Sequence, residues 1–120
     1  MYLFRRGPGR VDPAEARERT LAPGGSVLLD VREAHEWAAG RAPGAVHLPL
    51  AALAAGAALP APARGRPLVV ICRSGNRSRR AAELLAARGS AAVDVTGGML
   101  AWARAGLPVV DGRGNGGTIA

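Results

Sequence analysis

Leu68-Val69-Val70-Ile71-Cys72-Arg73-Ser74-Gly75-Asn76-Arg77-Ser78-Arg79-Arg80-Ala81-Ala82-Glu83-Leu84-Leu85 is the stretch that decides how this chain folds. Three β-branched residues and a leucine without a charge predict a strand over Pro67 to Ile71, covered on both faces. From Ser78 to Arg88 the residues favour a helix, and Gly89 stops it. Between the two lies a short polar loop that begins with the only cysteine of the chain.

The same alternation extends outward in both directions. Asp12-Pro13-Ala14-Glu15 reads as a capping box with proline at the first helical position, opening a helix to about Thr20 that ends at Pro23-Gly24-Gly25. Ser26 to Val31 is a second apolar run bounded by turn signals, as a central parallel strand requires. Glu33 to Ala39 predicts a short helix closed by Gly40, and Ala45 to Leu48 a short strand. Ala-rich Leu50 to Leu59 predicts a helix stopped by Pro60-Ala61-Pro62. Ala92 to Thr96 adds a strand, and Gly98 to Ala105 a final helix.

Strands alternating with helices predict a single α/β domain over residues 1–110 with a mainly parallel sheet. Residues 111–120 are Gly-rich and read as a flexible tail. At 120 residues the chain can bury a self-sufficient core. Sheets of this class bind ligands beyond the carboxyl ends of their strands, where Cys72 falls.

Composition narrows the chemistry. One cysteine excludes an internal disulfide and a four-cysteine metal site, and His35 and His47 lack metal-ligand spacing. The net charge of +7 raises nucleic acid as a partner, yet the basic residues are scattered and aromatic residues make up only 3%, so no stacking platform exists. All 16 basic residues are arginine, a bias that GC-rich coding also produces. No apolar run approaches the ~20 residues that span a bilayer. Met1-Tyr2-Leu3-Phe4-Arg5-Arg6 meets charge too early for a secretory leader. The expected location is cytoplasmic, which suits a free thiol.

The loop itself predicts a nucleophile. Gly75 and Asn76 tolerate left-handed backbone, so the amides from Arg73 to Ser78 can turn inward as an anion site, with the start of the helix adding its dipole. Together with Arg73 and Arg77 these features favour a thiolate near neutral pH. The competing reading is a buried inert cysteine, which the polar, Arg-flanked setting disfavours. Arg79 and Arg80 oppose the helix dipole; attraction of an anionic substrate or acidic partner and a solvated face are equal readings of them.

Two further segments join this loop. Leu28-Leu29-Asp30-Val31-Arg32-Glu33, with Glu36-Trp37 and Gly40-Arg41-Ala42-Pro43-Gly44-Ala45-Val46-His47-Leu48-Pro49, resembles the N-terminal signature of rhodanese domains. Val95-Thr96-Gly97-Gly98-Met99 with Trp102 and Gly106-Leu107-Pro108-Val109 resembles their C-terminal signature. Cys72 to Arg77 resembles the six-residue active loop of single-domain rhodaneses. The likeness runs from about Val11 to Val110, with Ala42 in place of a larger aliphatic residue and His47 where asparagine is frequent.

The resemblance implies a five-stranded parallel sheet flanked by helices and a thiosulfate sulfurtransferase without cofactor or metal. Cys72 would attack a sulfane donor such as thiosulfate and carry the sulfur as a persulfide to cyanide or a thiol acceptor. Arg73 and Arg77 would hold the anionic donor, and Ser74, Gly75, Asn76 and Ser78 would line the persulfide cradle. Asp30 and Arg32 read as structural, since sulfur transfer has no obligatory protein base. Gly97, Gly98 and Trp102 belong to the structural motif. Trp37 reads as core or pocket wall, and His35 and His47 as surface or satisfied polar residues.

Two rivals stand beside this reading. A Cys-dependent phosphatase or arsenate reductase also uses a Cys...Arg cradle, but the phosphatases of this fold have five residues between Cys and Arg, whereas Arg73-Ser74-Gly75-Asn76 gives four. The other is a non-enzymatic rhodanese-like carrier or binding module, whose basic surface would serve an acidic protein acceptor. No nucleic acid or membrane partner is expected.

Overall fold

The computed structural model describes residues 8–120; the stretch Met1 to Arg6, read above for a leader, lies outside them. Five strands, β1 (Arg10–Val11), β2 (Val27–Asp30), β3 (Val46–His47), β4 (Leu68–Ile71) and β5 (Ala92–Val95), alternate with α1 (Pro13–Leu21), α2 (Ala34–Ala39), α3 (Leu50–Ala54), α4 (Asn76–Ala87) and α5 (Gly98–Arg104). The sheet order is β1-β5-β4-β2-β3, and every pairing is parallel. Among the described residues no helix is long and apolar enough to cross a membrane.

β4 is central because all four of its residues are buried, and the period of two along it sorts the core into two layers. Leu68 and Val70 join Leu29, Val31, Leu53, Ala81 and Leu85 on one face. Val69 and Ile71 join Val11, Leu28, Val95, Met99 and Trp102 on the other. Cys72 continues the alternation beyond Ile71 and falls on the face of Val70, within the layer that packs against α3 and α4. That parity places the thiol under the start of α4.

Several boundaries depart from the sequence expectations. β1 is not legible as a strand, since two residues carry no periodicity; it exists because Arg10 and Val11 pair with Asp94 and Val95 of β5. α4 begins at Asn76, two residues earlier than predicted, because Gly75 adopts φ +104 and turns the chain into the helix at once. α3 ends at Ala54 instead of Leu59: Gly56 takes φ +96, and the amides of Gly56 and Ala57 close on Leu53 and Ala52 in a left-handed stop that overrides alanine propensity. At α1, Asp12 Oδ1 accepts from the Glu15 amide at 2.8 Å, but the Glu15 carboxylate turns to Arg19, so only half of the capping box forms.

Residues 111–120, read from sequence as a flexible tail, contact the domain through their backbone. Val110 bridges both Arg41 and Gly116, the Thr118 amide donates to Ala39 O at 3.0 Å, and Ile119 packs on the α1/α5 layer. Glycine permits the close approach: a Cβ on Gly117 would lie 2.8 Å from Gly40 Cα.

Candidate active site

The end of β4 delivers Cys72 to a position that is 1% exposed. Its sulfur is not surrounded by hydrocarbon alone. The Gly75 amide donates to Sγ at 3.0 Å, and Ser78 Oγ lies 3.4 Å away. The first amides of α4 beyond it have no intrahelical acceptor, so the sulfur sits beneath open donors at the positive end of a twelve-residue helix. Arg73, Ser74 and Asn76 are exposed and form the rim of the loop.

The loop is held from behind by α5. The Met99 amide donates to Cys72 O at 2.8 Å and the Leu100 amide to Arg73 O at 3.0 Å. This explains the Gly97-Gly98 pair: at φ +57 Gly98 passes so near that a Cβ would lie 2.4 Å from Cys72 O and 2.6 Å from Arg73 O. Trp102 is buried in the layer beneath, its Nε1 donating to Pro108 O at 2.8 Å.

The two loop arginines have different surroundings. Arg77 is engaged by a carboxylate, its Nη1 and Nη2 donating to Glu36 Oε1 and Oε2 at 2.6 and 2.8 Å. The Arg77 hydrogen bonds hold the Glu36 carboxyl down at about 2, against the opposing effect of burial and with help from the Glu33 amide. Glu36 in turn raises the Arg77 pKa, and the Cys72 sulfur adds a smaller contribution of the same sign. Arg73 reaches the tail, with Nε donating to Ala120 O at 2.9 Å. Arg80 and Arg77 line an open groove of about 430 Å³ whose apolar wall includes Val31, Pro49, Leu50 and Ala54. Arg79 is exposed to solvent.

Asp30 and Arg32 are fully buried and bonded to one another, with Arg32 Nη2 2.7 Å from Asp30 Oδ2. The same guanidinium donates to Gly40 O at 2.7 Å and to Glu36 O at 3.3 Å, satisfying carbonyls at the end of α2. Its contacts tie the end of β2 to α2. Trp37 stacks on His47 at 4.7 Å with Arg41 also over the ring at 4.3 Å, and His47 Nε2 bonds Arg32 O at 2.8 Å. His35 is exposed.

Three site residues escape the sequence reading. Glu36 is visible there only as part of a signature, Arg10 not at all, and Asp94 only as one residue of a strand. Ser78 Oγ donates to Asp94 Oδ2 at 2.8 Å; Arg10 donates to both Asp94 oxygens, at 2.9 and 3.1 Å, and to Gly75 O at 2.8 Å. Asp94 raises the Arg10 pKa chiefly through that hydrogen bond. The signal was a lone carboxylate inside the apolar run Ala92-Val93-Asp94-Val95, because a charge in a buried strand requires a partner.

Residues 12–105 match the family model described as the rhodanese-like domain. A sulfurtransferase of Allochromatium vinosum is 38% identical over 104 residues, covering 84% of this chain and 94% of that protein. A maize adenylyltransferase and sulfurtransferase, MOCS3-1, is 40% identical over 84 residues, which are 65% of this chain but only 18% of the maize protein. Among solved structures, a rhodanese-related protein of Thermoplasma volcanium superposes with a TM-score of 0.72 at 32% identity, covering 85% of this chain and 97% of that one.

Proposed function

The chain belongs to the rhodanese-like domain family, and from that membership we propose that it moves sulfane sulfur from thiosulfate or a related donor to cyanide or a thiol acceptor through a Cys72 persulfide. The Cys72 thiolate attacks the outer sulfur of thiosulfate; the Sγ–S bond forms, the S–S bond of thiosulfate breaks, and sulfite leaves with the electron pair. Cyanide then attacks the outer persulfide sulfur, thiocyanate departs, and the thiolate returns. Charge and atoms balance in both halves.

The observation that carries this reading is the sulfur held at 3.0 Å by the Gly75 amide under the open amides of α4. Those donors stabilise negative charge on either sulfur of the persulfide. Because Cys72 is buried, the donor enters through the exposed rim of Arg73, Ser74 and Asn76. Arg73 meets the anion there, and Arg77 supplies the hydrogens that Glu36 leaves free. Four residues between Cys72 and Arg77 shape a cradle that favours a persulfide over a phosphate ester. The surplus of +7 suits an acidic protein as the acceptor.

Intact mass after incubation of the reduced protein with thiosulfate tests the proposal. Gain of one sulfur, reversed by thiol and absent in Cys72→Ser, is expected. Hydrolysis of an aryl phosphate without a sulfur adduct would make the chain a phosphatase instead. Saturable binding of a partner protein with neither activity would make it a carrier or binding module.

A further inference from the structure

Behind the sulfur runs a buried polar chain that nucleophilic attack by Cys72 does not by itself require. Cys72, Ser78 and Asp94 are each at most 1% exposed, and they are linked in the order Sγ to Ser78 Oγ at 3.4 Å, then Ser78 Oγ to Asp94 Oδ2 at 2.8 Å. A serine hydroxyl has one proton to give. Here it is given to Asp94, so the sulfur meets an oxygen lone pair. That arrangement suits a protonated thiol and opposes a thiolate.

Rotation of the hydroxyl about its C–O bond reverses the contact without moving a heavy atom. Asp94 is left satisfied when this happens, because Arg10 already donates to Oδ1 at 2.9 Å and to Oδ2 at 3.1 Å. The same guanidinium neutralises a buried carboxylate that would otherwise repel charge on the sulfur. Its Nη2 also bonds Gly75 O at 2.8 Å, fixing the residue whose amide holds Sγ. A Cβ on Gly75 would stand 2.9 Å from that nitrogen, so the contact depends on glycine.

We propose that Ser78 is a two-position hydroxyl, donating to Asp94 while Cys72 holds a proton and to the sulfur once Cys72 is a thiolate, and that the Arg10–Asp94 pair is the positioning element that permits the turn. The proposal rests on the sulfurtransferase reading for its place in turnover. The charged groups around the sulfur are then Arg10 from β1, Asp94 from β5, Arg73 from the loop, and Arg77 from α4 with its partner Glu36 from α2. Asp30 and Arg32 neutralise one another at the end of β2, and α5 contributes amides.

The pH profile of thiolate absorbance, paired with the rate of iodoacetamide alkylation, reads this directly, since Cys72 is the only thiol. Ser78→Ala slows alkylation at neutral pH about tenfold, the size of a lost hydrogen bond to a charge, and Ser78→Thr restores it to within about threefold. Arg10→Met slows it, Asp94→Asn accelerates it, and the double variant returns toward the parent. A pair with a merely structural role would depress both single variants alike. That outcome, or a Ser78→Ala profile superimposable on the parent, overturns the proposal. Ser78→Ala is a small-for-small exchange that keeps the fold, so its profile decides even where a charge variant misfolds. Alkylation needs no sulfur donor: the opposed signs without thiosulfate turnover would defeat thiosulfate as the donor in the proposed function and leave the hydroxyl assignment standing.

Discussion

Acid should loosen the active loop through one carboxylate, Glu36. The bidentate Arg77 contact at 2.6 and 2.8 Å holds its folded pKa at about 2 against an ordinary value of 4.5. A depressed carboxylate stabilises the fold above its unfolded value, and that stabilisation is lost as pH falls from about 4.5 toward 2. At ~1.4 kcal/mol per pH unit the gap of about 2.5 corresponds to ~3 kcal/mol. Glu36 is 5% exposed, but the Arg77 side chain is 33% exposed, and solvent screening there reduces the contribution to ~1–2 kcal/mol. Urea unfolding of the parent and Glu36→Gln over this range isolates the effect, since glutamine can still accept from the Glu33 amide. The parent should be more stable by ~1–2 kcal/mol at neutral pH, and the difference should shrink steadily below about pH 4.5. A difference that stays constant with pH, or grows on acidification, would refute the linkage.

Gly98→Ala should destabilise by ~3–5 kcal/mol, combining a left-handed alanine with the loss of two amide bonds to the loop carbonyls; a thermal melt checks it, and an unshifted melt would show that the loop gives way freely. If the proposed sulfur transfer holds, Arg77→Ala should lower thiosulfate turnover at least about tenfold by removing the charged contact proposed for the donor, while Arg64→Ala, whose Nε meets Leu59 O at an exposed site, should leave it unchanged. Steady-state rates compare the two, and equal losses would contradict a local anion site. Asp30→Ala should cost ~3–5 kcal/mol in urea unfolding, because it leaves the Arg32 guanidinium buried without its counter-ion.

Much of the frame was legible because its signals are local. The uncharged run Leu68–Ile71 and Gly75 fix a strand and a sharp turn into a helix within a few residues of one another, while Asn76, read as a second left-handed position, is already the first residue of α4. That Cys72 emerges at the carboxyl edge of the sheet follows from its place directly after Ile71, whereas the face it joins is set by the packing of α3 and α4. Gly56 shows the limit of propensity, since one left-handed residue ended a helix that alanine content extended to Leu59. β1 shows the limit of periodicity, because two residues become a strand only when β5 offers them a register.

By itself the sequence determined the α/β alternation, the edge at which the thiol emerges and the arginines beside it. Tertiary structure alone decided which charges meet: Arg77 with Glu36 across 41 residues and Arg10 with Asp94 across 84. Secondary structure follows from interactions within a few residues, which composition and spacing record. Charge pairing across the chain follows from strand register and helix packing, where Arg10 and Asp94 become parallel neighbours and one guanidinium can neutralise the carboxylate behind the sulfur.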